Sequence, residues 1–198
     1  AKLRKEEALG RLFGAGPGLS FALPRCLGAG VFDRHGFQSW MRSTKIEGRV
    51  GTVADSEPTW GAPLGQALRE LHGFLDTSAL RELAEPDPIF EDLASGPPIS
   101  KEDRALAQLV QRLYAVVPAQ RLRPIHGDFN ISNIMLDGSR VSGVLDFAEF
   151  CLGFVEEDVV SLTAELPALT DSILEGYGRA LEPTLLRLAA AKRALIGM

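Results

Sequence analysis

The fold is indicated most clearly by the segment Ile125-His126-Gly127-Asp128-Phe129-Asn130-Ile131-Ser132-Asn133, followed by Gly143-Val144-Leu145-Asp146-Phe147. Two short apolar runs, typical of β-strands, lie around the turn-forming Asp137-Gly138-Ser139. This pattern predicts a β-hairpin. With the loop centred between Ser139 and Arg140, Asn133 pairs with Asp146 at the open end, with Cα atoms about 4.5 to 5.5 Å apart.

Asp128, Asn133 and Asp146 are therefore predicted to converge. Mg²⁺ prefers carboxylate and amide oxygens and bridges them to substrate phosphates, which suits Asn133 and Asp146. Asp128 then serves as a base that orients an acceptor hydroxyl, and the three side chains suffice for phosphoryl transfer. The alternative is that Asp128 and Asn130 cap a turn, while Asn133 and Asp146 only terminate strands.

The string HGDFNISN, with Asp146 in GVLDF thirteen residues after Asn133, resembles the aminoglycoside phosphotransferase and choline kinase group of the protein-kinase-like fold. This resemblance implies an α+β protein-kinase-like fold with Asp128 as the catalytic base and Asn133 and Asp146 as magnesium ligands. It also implies that His126 orders the catalytic loop. Asp158, in the segment GFVEED, is expected to support that loop from the next helix.

The activity implied by the resemblance is phosphorylation of a small-molecule hydroxyl, with ATP and Mg²⁺ as cofactors. An aminoglycoside is favoured as the acceptor because the C-terminal half is rich in acidic residues that suit a polyamine. These acidic residues are Glu149, Glu156, Glu157, Glu165, Asp171 and Glu175. Glu149 is a candidate for contact with the metal or a cationic substrate, or else it is a solvated loop carboxylate.

Three other functions are kept open at this point. The first is a kinase of another metabolite, such as homoserine, choline or a sugar. The second is a non-catalytic kinase-like binding module. The third, a metal-dependent hydrolase using His126, Asp128 and Asp146, is disfavoured because the chain has only three His residues and none is paired at metal-ligand spacing.

The resemblance divides the chain into a β-rich N-lobe remnant with a hinge strand, residues 1–50, and a helical C-lobe, residues 51–198, that carries the hairpin. In SWMRSTKIEGR, the residues Ser43, Thr44, Lys45 and Ile46 resemble the family's hinge and are candidates to offer backbone groups to adenine. An ordinary edge strand is the alternative.

Kinases of this kind hold ATP with a Gly-rich loop, a Lys and a partner Glu. A Gly-rich loop is not recognisable here, and Lys2 is only a formal candidate for the Lys, with Glu6 or Glu7 as its partner. A solvated charged helix over residues 2–13 is the alternative. The sequence is therefore expected to begin inside the smaller lobe.

Composition narrows the classes of partner. The 198 residues are 45% apolar and carry 21 basic against 26 acidic side chains, a net charge of −5. Since no basic cluster is interleaved with aromatic residues, we expect no nucleic-acid partner. No apolar run reaches the length of a membrane helix, and no secretory signal is visible, so the protein is predicted to be cytoplasmic with no membrane partner.

Two further helices are predicted from apolar residues at helical spacing, over residues 64–75 and 106–117. Each is expected to bury one stripe. The stripe of the second helix consists of Leu106, Leu109, Val110, Leu113 and Val117.

Overall fold

The computed structural model describes residues 2–13, 18–32, 38–54, 56–86 and 100–196. The helices in these ranges are α1 (Lys2–Phe13), α2 (Gly61–Leu75), α3 (Ser78–Leu83), α4 (Lys101–Ala115), α5 (Val155–Glu165), α6 (Thr170–Tyr177) and α7 (Pro183–Ile196). The strands are β1 (Cys26–Phe32), β2 (Gln38–Ser43), β3 (Arg49–Val50), β4 (Arg123–Ile125), β5 (Ile134–Asp137), β6 (Arg140–Val144) and β7 (Cys151–Gly153). No helix in these ranges is both long and apolar enough to cross a membrane.

The strands form small antiparallel sheets between the helices, which makes the architecture α+β. β1 pairs with β2, β4 pairs with β7, and β5 lies between β3 and β6. The β5–β6 hairpin is also bound from the N-terminal side, because the Ala22 amide donates to the Ser142 carbonyl at 2.9 Å. The hairpin therefore joins the first part of the chain to the helices that follow it.

The predicted β5–β6 hairpin is present, but its predicted register was wrong. Asp137 pairs with Arg140 across a two-residue turn, and a β-bulge follows Met135. As a result the amide of Leu145, not Asp146, faces Asn133, donating to its carbonyl at 2.8 Å. The turn is centred between Gly138 and Ser139 and not between Ser139 and Arg140, which shifts the pairing by two residues, and the unpaired residue of the bulge restores one of them.

The main core is built around α2, which packs closely against α6. A Cβ atom at Gly65 would lie 2.0 Å from the Ile173 carbonyl oxygen, so only glycine permits this approach. The same core contains Phe129, Phe147 and Phe150, which come from the loops on either side of the hairpin. Burial of these rings fixes the loops that flank the hairpin to the helical body.

The helix predicted over residues 2–13 is present, but it is not fully solvated. Leu9 is fully buried, and the ring of Phe13 lies 4.7 Å from that of Phe147. These two residues are four apart and share one face of α1. Glu7 and Arg11 form an ion pair at 2.7 Å elsewhere on the helix. The alternative of a wholly solvated charged helix was therefore wrong.

The buried stripe predicted for α4 was also wrong in large part. Val110 is buried, but Leu106, Leu109 and Leu113 are 40%, 48% and 45% exposed. The buried face instead combines Val110 with Ala107, which pack against Phe154 and residues of α7. Apolar spacing locates a helix, but the width of the face it buries depends on its neighbours.

Candidate functional site

The loop from His126 to Asn133 ends in a single 3₁₀ turn, Ile131–Asn133, that leads directly into β5. Asn130 caps this turn, because its Oδ1 accepts a hydrogen bond from the Asn133 amide at 3.2 Å. Ser132 Oγ donates to the same Oδ1 at 2.5 Å. Asn130 therefore caps a turn, which is one part of the alternative interpretation, and this cap lies beside the two candidate site residues Asp128 and Asn133.

Asp128 is half-buried and its carboxylate is held at both oxygens. Asn130 Nδ2 donates to Oδ1 at 2.8 Å, and Asn133 Nδ2 donates to Oδ2 at 3.0 Å. Asn133 Nδ2 also donates to the Asp128 main-chain carbonyl at 2.9 Å. A carboxylate has about four acceptor positions, so each oxygen keeps capacity for a further donor such as a hydroxyl.

Asn133 and Asp146 are brought together by the hydrogen bond between the Leu145 amide and the Asn133 carbonyl. Since Asn133 donates through Nδ2, its Oδ1 is the atom suited to a metal ion. Asp146 is exposed and has φ +56°, a left-handed conformation that is uncommon outside glycine. Its Oδ1 accepts a hydrogen bond from the Ala148 amide at 3.3 Å.

His126 links the Asp128 loop to the segment that carries Asp146. Its Nε2 donates to the Leu145 carbonyl at 2.9 Å, and its Nδ1 accepts from the Asp128 amide at 3.3 Å. This pattern requires the neutral imidazole. Burial of the ring lowers the pKa of His126 below its ordinary value of 6.5, although the nearby negative charge of Asp158 acts to raise it.

Asp158 lies at the start of α5, is fully buried, and holds the loop from beneath. Its carboxylate accepts the main-chain amides of His126 and Gly127, each at 2.9 Å, and His72 Nε2 at 3.0 Å. Burial alone would raise the pKa of the Asp158 carboxyl, but the hydrogen bonds from the His72 side chain and the His126 main-chain amide outweigh it and hold the pKa below its ordinary value.

His72 lies on α2, is 97% buried, and orients Asp158. On the other side of its ring, Nδ1 lies 2.9 Å from the hydroxyl of Tyr177 in α6. Burial raises the pKa of Tyr177 to about 12, so this hydroxyl stays protonated and can donate to the ring. His72 and Asp158 are far apart in the sequence, so no local pattern reveals the pair.

The lowered pKa of His126 predicts a loss of stability on mild acidification. As the pH falls, the imidazole of residue 126 takes up a proton at a higher pH in the unfolded chain than in the folded protein. The contribution of neutral His126 to the free energy of unfolding is therefore complete above about pH 6.5 and is lost below that value, by up to about 1.4 kcal/mol per pH unit. We expect urea unfolding between about pH 7.5 and pH 5 to show a steeper decline for the wild type than for His126→Gln. Identical slopes would contradict the assignment of a buried neutral His126.

Glu165 is a further residue of the site whose role was missed. Its Oε2 accepts the Ile131 amide at 3.1 Å, and its Oε1 accepts Arg193 at 3.0 Å. Arg193 also donates to Ser161 at 2.7 Å. Through Glu165, the last described helix, α7, is connected to the turn that follows Asp128.

Several acidic residues that were predicted to suit a polyamine instead form hydrogen bonds or ion pairs with other residues of the protein. Glu156 is buried and accepts the Glu182 amide at 2.9 Å, and Glu157 pairs with the buried Lys192. Glu165 pairs with Arg193, as described above. Glu149 is exposed, and its main-chain carbonyl packs against Gly127, where a Cβ atom would lie 2.1 Å away. It therefore lies beside the Asp128 loop.

A cavity of about 300 Å³ lies between α1, the end of β2 and the Asp146 segment. Glu6, Met41 and Ser43 line one side of it, and Leu145 and Asp146 line another. Glu6 thus faces the cavity, whereas Glu7 pairs with Arg11. The structure therefore distinguishes the two candidate acidic residues of α1 by position.

The predicted hinge residues occupy different environments. Ser43 lines the cavity, and Ile46 is buried against Gly143. The Thr44 amide donates to the Arg25 carbonyl at 3.0 Å, so this amide is used within the protein. Lys45 is exposed and pairs with Glu47 at 3.1 Å. The assignment of these residues to adenine binding stays a prediction.

A protein-family model covers nearly the whole chain. Residues 1–191 match the phosphotransferase enzyme family (APH), and the chain belongs to that family. The resemblance first seen in HGDFNISN and GVLDF is thereby confirmed. No curated protein matches the chain at a significant level.

Solved structures with the same fold include antibiotic phosphotransferases. The GDP and kanamycin complex of an APH(2″) enzyme aligns with a TM-score of 0.73 and 16% identity, over 98% of this chain and 72% of that chain. APH(3″)-Id from Streptomyces rimosus, in complex with ADP and streptomycin, aligns with a TM-score of 0.72 and 18% identity, over 98% of this chain and 82% of that chain. The macrolide 2′-phosphotransferase MphH from Brachybacterium faecium aligns with a TM-score of 0.62 and 18% identity, over 98% of this chain and 72% of that chain. These likenesses establish the kinase-like α+β fold.

Proposed function

We propose that this protein transfers a phosphoryl group from ATP to a hydroxyl of a small molecule in a Mg²⁺-dependent reaction, with an aminoglycoside as the acceptor. The observation that carries the proposal is the Asp128 carboxylate, held at both oxygens by the amides of Asn130 and Asn133 beside the Asp146 segment. This arrangement offers a fixed base next to a pair of metal ligands. Membership of the phosphotransferase enzyme family supports it.

In this proposal, Asp128 accepts the proton of the acceptor hydroxyl and orients its oxygen towards the terminal phosphate of ATP. The O–H bond of the acceptor breaks as its oxygen bonds to phosphorus, and the bond between that phosphorus and ADP breaks, so ADP leaves. Catalysis of this kind depends on positioning and on neutralising phosphate charge. His126 and Asp158 hold the loop, which fits their predicted supporting roles.

The donors present fit a magnesium ion. The described part of the chain contains no group of three or more His, Cys, Asp or Glu placed to hold a metal, so an ion would depend on Asn133, Asp146 and phosphate oxygens. Mg²⁺ commonly binds through one or two protein oxygens plus phosphates and water. When bound, Mg²⁺ would supply neutralisation of the phosphate charge.

The cavity beside Asp146 is our candidate nucleotide site. It lies between residues of 1–50, which we propose to be the N-lobe part, and residues of 51–198, the proposed C-lobe. Ser43 and Glu6 face it, which favours Ser43 among the four hinge candidates and Glu6 over Glu7 as the acidic residue of the nucleotide site. The structures in complex with GDP and ADP give a reason to test both purine nucleotides.

An aminoglycoside is the first acceptor to test because kanamycin and streptomycin occupy similar structures. The net charge of −5 would also favour a cationic acceptor. Glu149, exposed beside Gly127, is our candidate for contact with an acceptor amine.

The complete gene product should bind ATP or GTP with Mg²⁺ and release the diphosphate only when an acceptor is added. The acceptor panel would contain kanamycin, streptomycin, a macrolide, choline, homoserine and a sugar, with product mass gain as the second readout. Release stimulated by kanamycin or streptomycin would support the full proposal. Release stimulated only by another acceptor would support the phosphotransferase activity but assign it a different class of substrate. Failure to bind either nucleotide would favour a non-catalytic module.

A further inference from the structure

Asn130 lies two residues after Asp128, and its amide orientation follows from its neighbours. Its Oδ1 accepts from both Ser132 Oγ at 2.5 Å and the Asn133 amide at 3.2 Å. The reversed orientation would place the NH₂ group against the Asn133 amide donor and Oδ1 against the Asp128 carboxylate, so it is excluded by hydrogen-bond chemistry. Nδ2 must therefore face the Asp128 carboxylate, where it donates to Oδ1 at 2.8 Å.

The donation from Asn130 has a consequence for Asp128 that the donation from Asn133 cannot supply alone. Asn133 holds Oδ2 at 3.0 Å, and one contact leaves a carboxylate able to rotate about its last side-chain bond. A second donor on Oδ1 fixes the plane of the carboxylate. The remaining acceptor positions of both oxygens then point in defined directions.

We propose that Asn130 is a positioning residue for catalysis, which fixes the Asp128 carboxylate in the orientation that receives the acceptor hydroxyl. This inference rests on the proposed function, since it assigns Asn130 a role only if Asp128 is the base. The same arrangement leaves Asn133 Oδ1 for the metal ion, because Asn133 uses Nδ2 towards Asp128. Asn130 touches neither metal nor substrate in this role.

The positioning role is separable from the capping role because they use different atoms. Oδ1 caps the Ile131–Asn133 turn, whereas Nδ2 contacts Asp128. Asn130→Asp keeps an oxygen acceptor for Ser132 and the Asn133 amide but removes the donor to Asp128. Asn130→Ala removes both, without adding a charge.

The test compares steady-state kinetics and thermal midpoints of wild type, Asn130→Asp and Asn130→Ala. We expect kcat to fall about 10- to 100-fold in both variants, since misalignment of a general base removes part of its contribution. The KM for MgATP should stay within about twofold, because the metal ligands are unchanged. Asn130→Ala should also lower the thermal midpoint through loss of the cap, and Asn130→Asp through repulsion between its new carboxylate and that of Asp128.

The matched control is Gln66→Glu, which makes the same amide-to-carboxylate change on the exposed surface of α2. It should leave kcat and KM as in the wild type. Wild-type kcat in Asn130→Asp, or a raised KM for MgATP with unchanged kcat, would overturn the positioning role.

The outcome for Asp128→Ala separates this inference from the proposed function. An inactive Asp128→Ala with a fully active Asn130→Asp overturns only the role of Asn130. A wild-type protein without transfer, or an Asp128→Ala variant at the wild-type rate, overturns the proposed function and this inference with it.

Discussion

Replacement of Asp128 by alanine is expected to lower kcat by about 10²- to 10⁴-fold, the range that a positioned general base contributes. Nucleotide binding should survive. The reason lies in Asn133, whose Nδ2 donates to the main-chain carbonyl of residue 128 as well as to the carboxylate. Alanine keeps that carbonyl, so Asn133 keeps an anchor and its Oδ1 keeps its direction.

The measurement is single-turnover transfer with the best acceptor of the panel, together with the Kd for MgATP by calorimetry. Asp137→Ala is the matched control, since it removes an exposed carboxylate at the turn of the same hairpin. The control should retain wild-type kcat and Kd. A substantial rise in the Kd for MgATP in Asp128→Ala would show that Asp128 belongs to the metal site, contrary to its assignment as base.

The hairpin was predictable because it is encoded locally, and the α+β class followed from the resemblance of its flanking motifs to a known family. HGDFNISN and GVLDF combine hydrogen-bonding side chains, a turn and two apolar runs within a short segment. The contacts around Asp128 follow from that segment too, since Asn130 and Asn133 lie within five residues of it. Contacts between residues this close in the sequence can be predicted from a short motif alone.

The support beneath the loop was only partly predictable. Asp158 was expected to support the loop from its place in GFVEED, but its partner His72 is 86 residues away. The pairing depends on how α2 and α5 pack, which no spacing in the sequence specifies. The exposed face of α4 and the buried face of α1 were missed for the same reason. Tertiary contacts decide which of several plausible faces a helix buries.

The one-residue error in register begins at the turn, which is centred between Gly138 and Ser139, one residue earlier than predicted, so the pairing beside it is shifted by two residues. The bulge then restores one of these two residues. A bulge after Met135 moves Leu145 opposite Asn133 and puts Asp146 just beyond the strand, at φ +56°. The carboxylate of Asp146 is then aimed by a turn and not by the alternation of a strand. Left-handed conformations outside glycine are often associated with functional sites.

Replacement of Asp146 is expected to affect nucleotide binding itself, in contrast to replacement of Asp128. Asp146→Asn is the better variant because asparagine tolerates the left-handed conformation at φ +56°, whereas alanine would add strain. The change removes one charge from a candidate metal ligand while keeping its shape. The neighbouring Phe147 should keep its place, since its ring packs 4.5 Å from His126 and 4.7 Å from Phe13.

We expect the Kd for ATP in the presence of Mg²⁺ to rise by about 10- to 100-fold in Asp146→Asn, the scale at which disturbing a metal site weakens binding. The Kd measured in EDTA should not rise, because without the metal ion the carboxylate only repels the phosphates of ATP. Asp128→Ala should show the opposite pattern of normal binding with lost transfer. If both variants lost Mg²⁺-dependent binding equally, the division into a base and a metal ligand would be contradicted. If Asp146→Asn bound MgATP as the wild type does, Asp146 would not be a metal ligand.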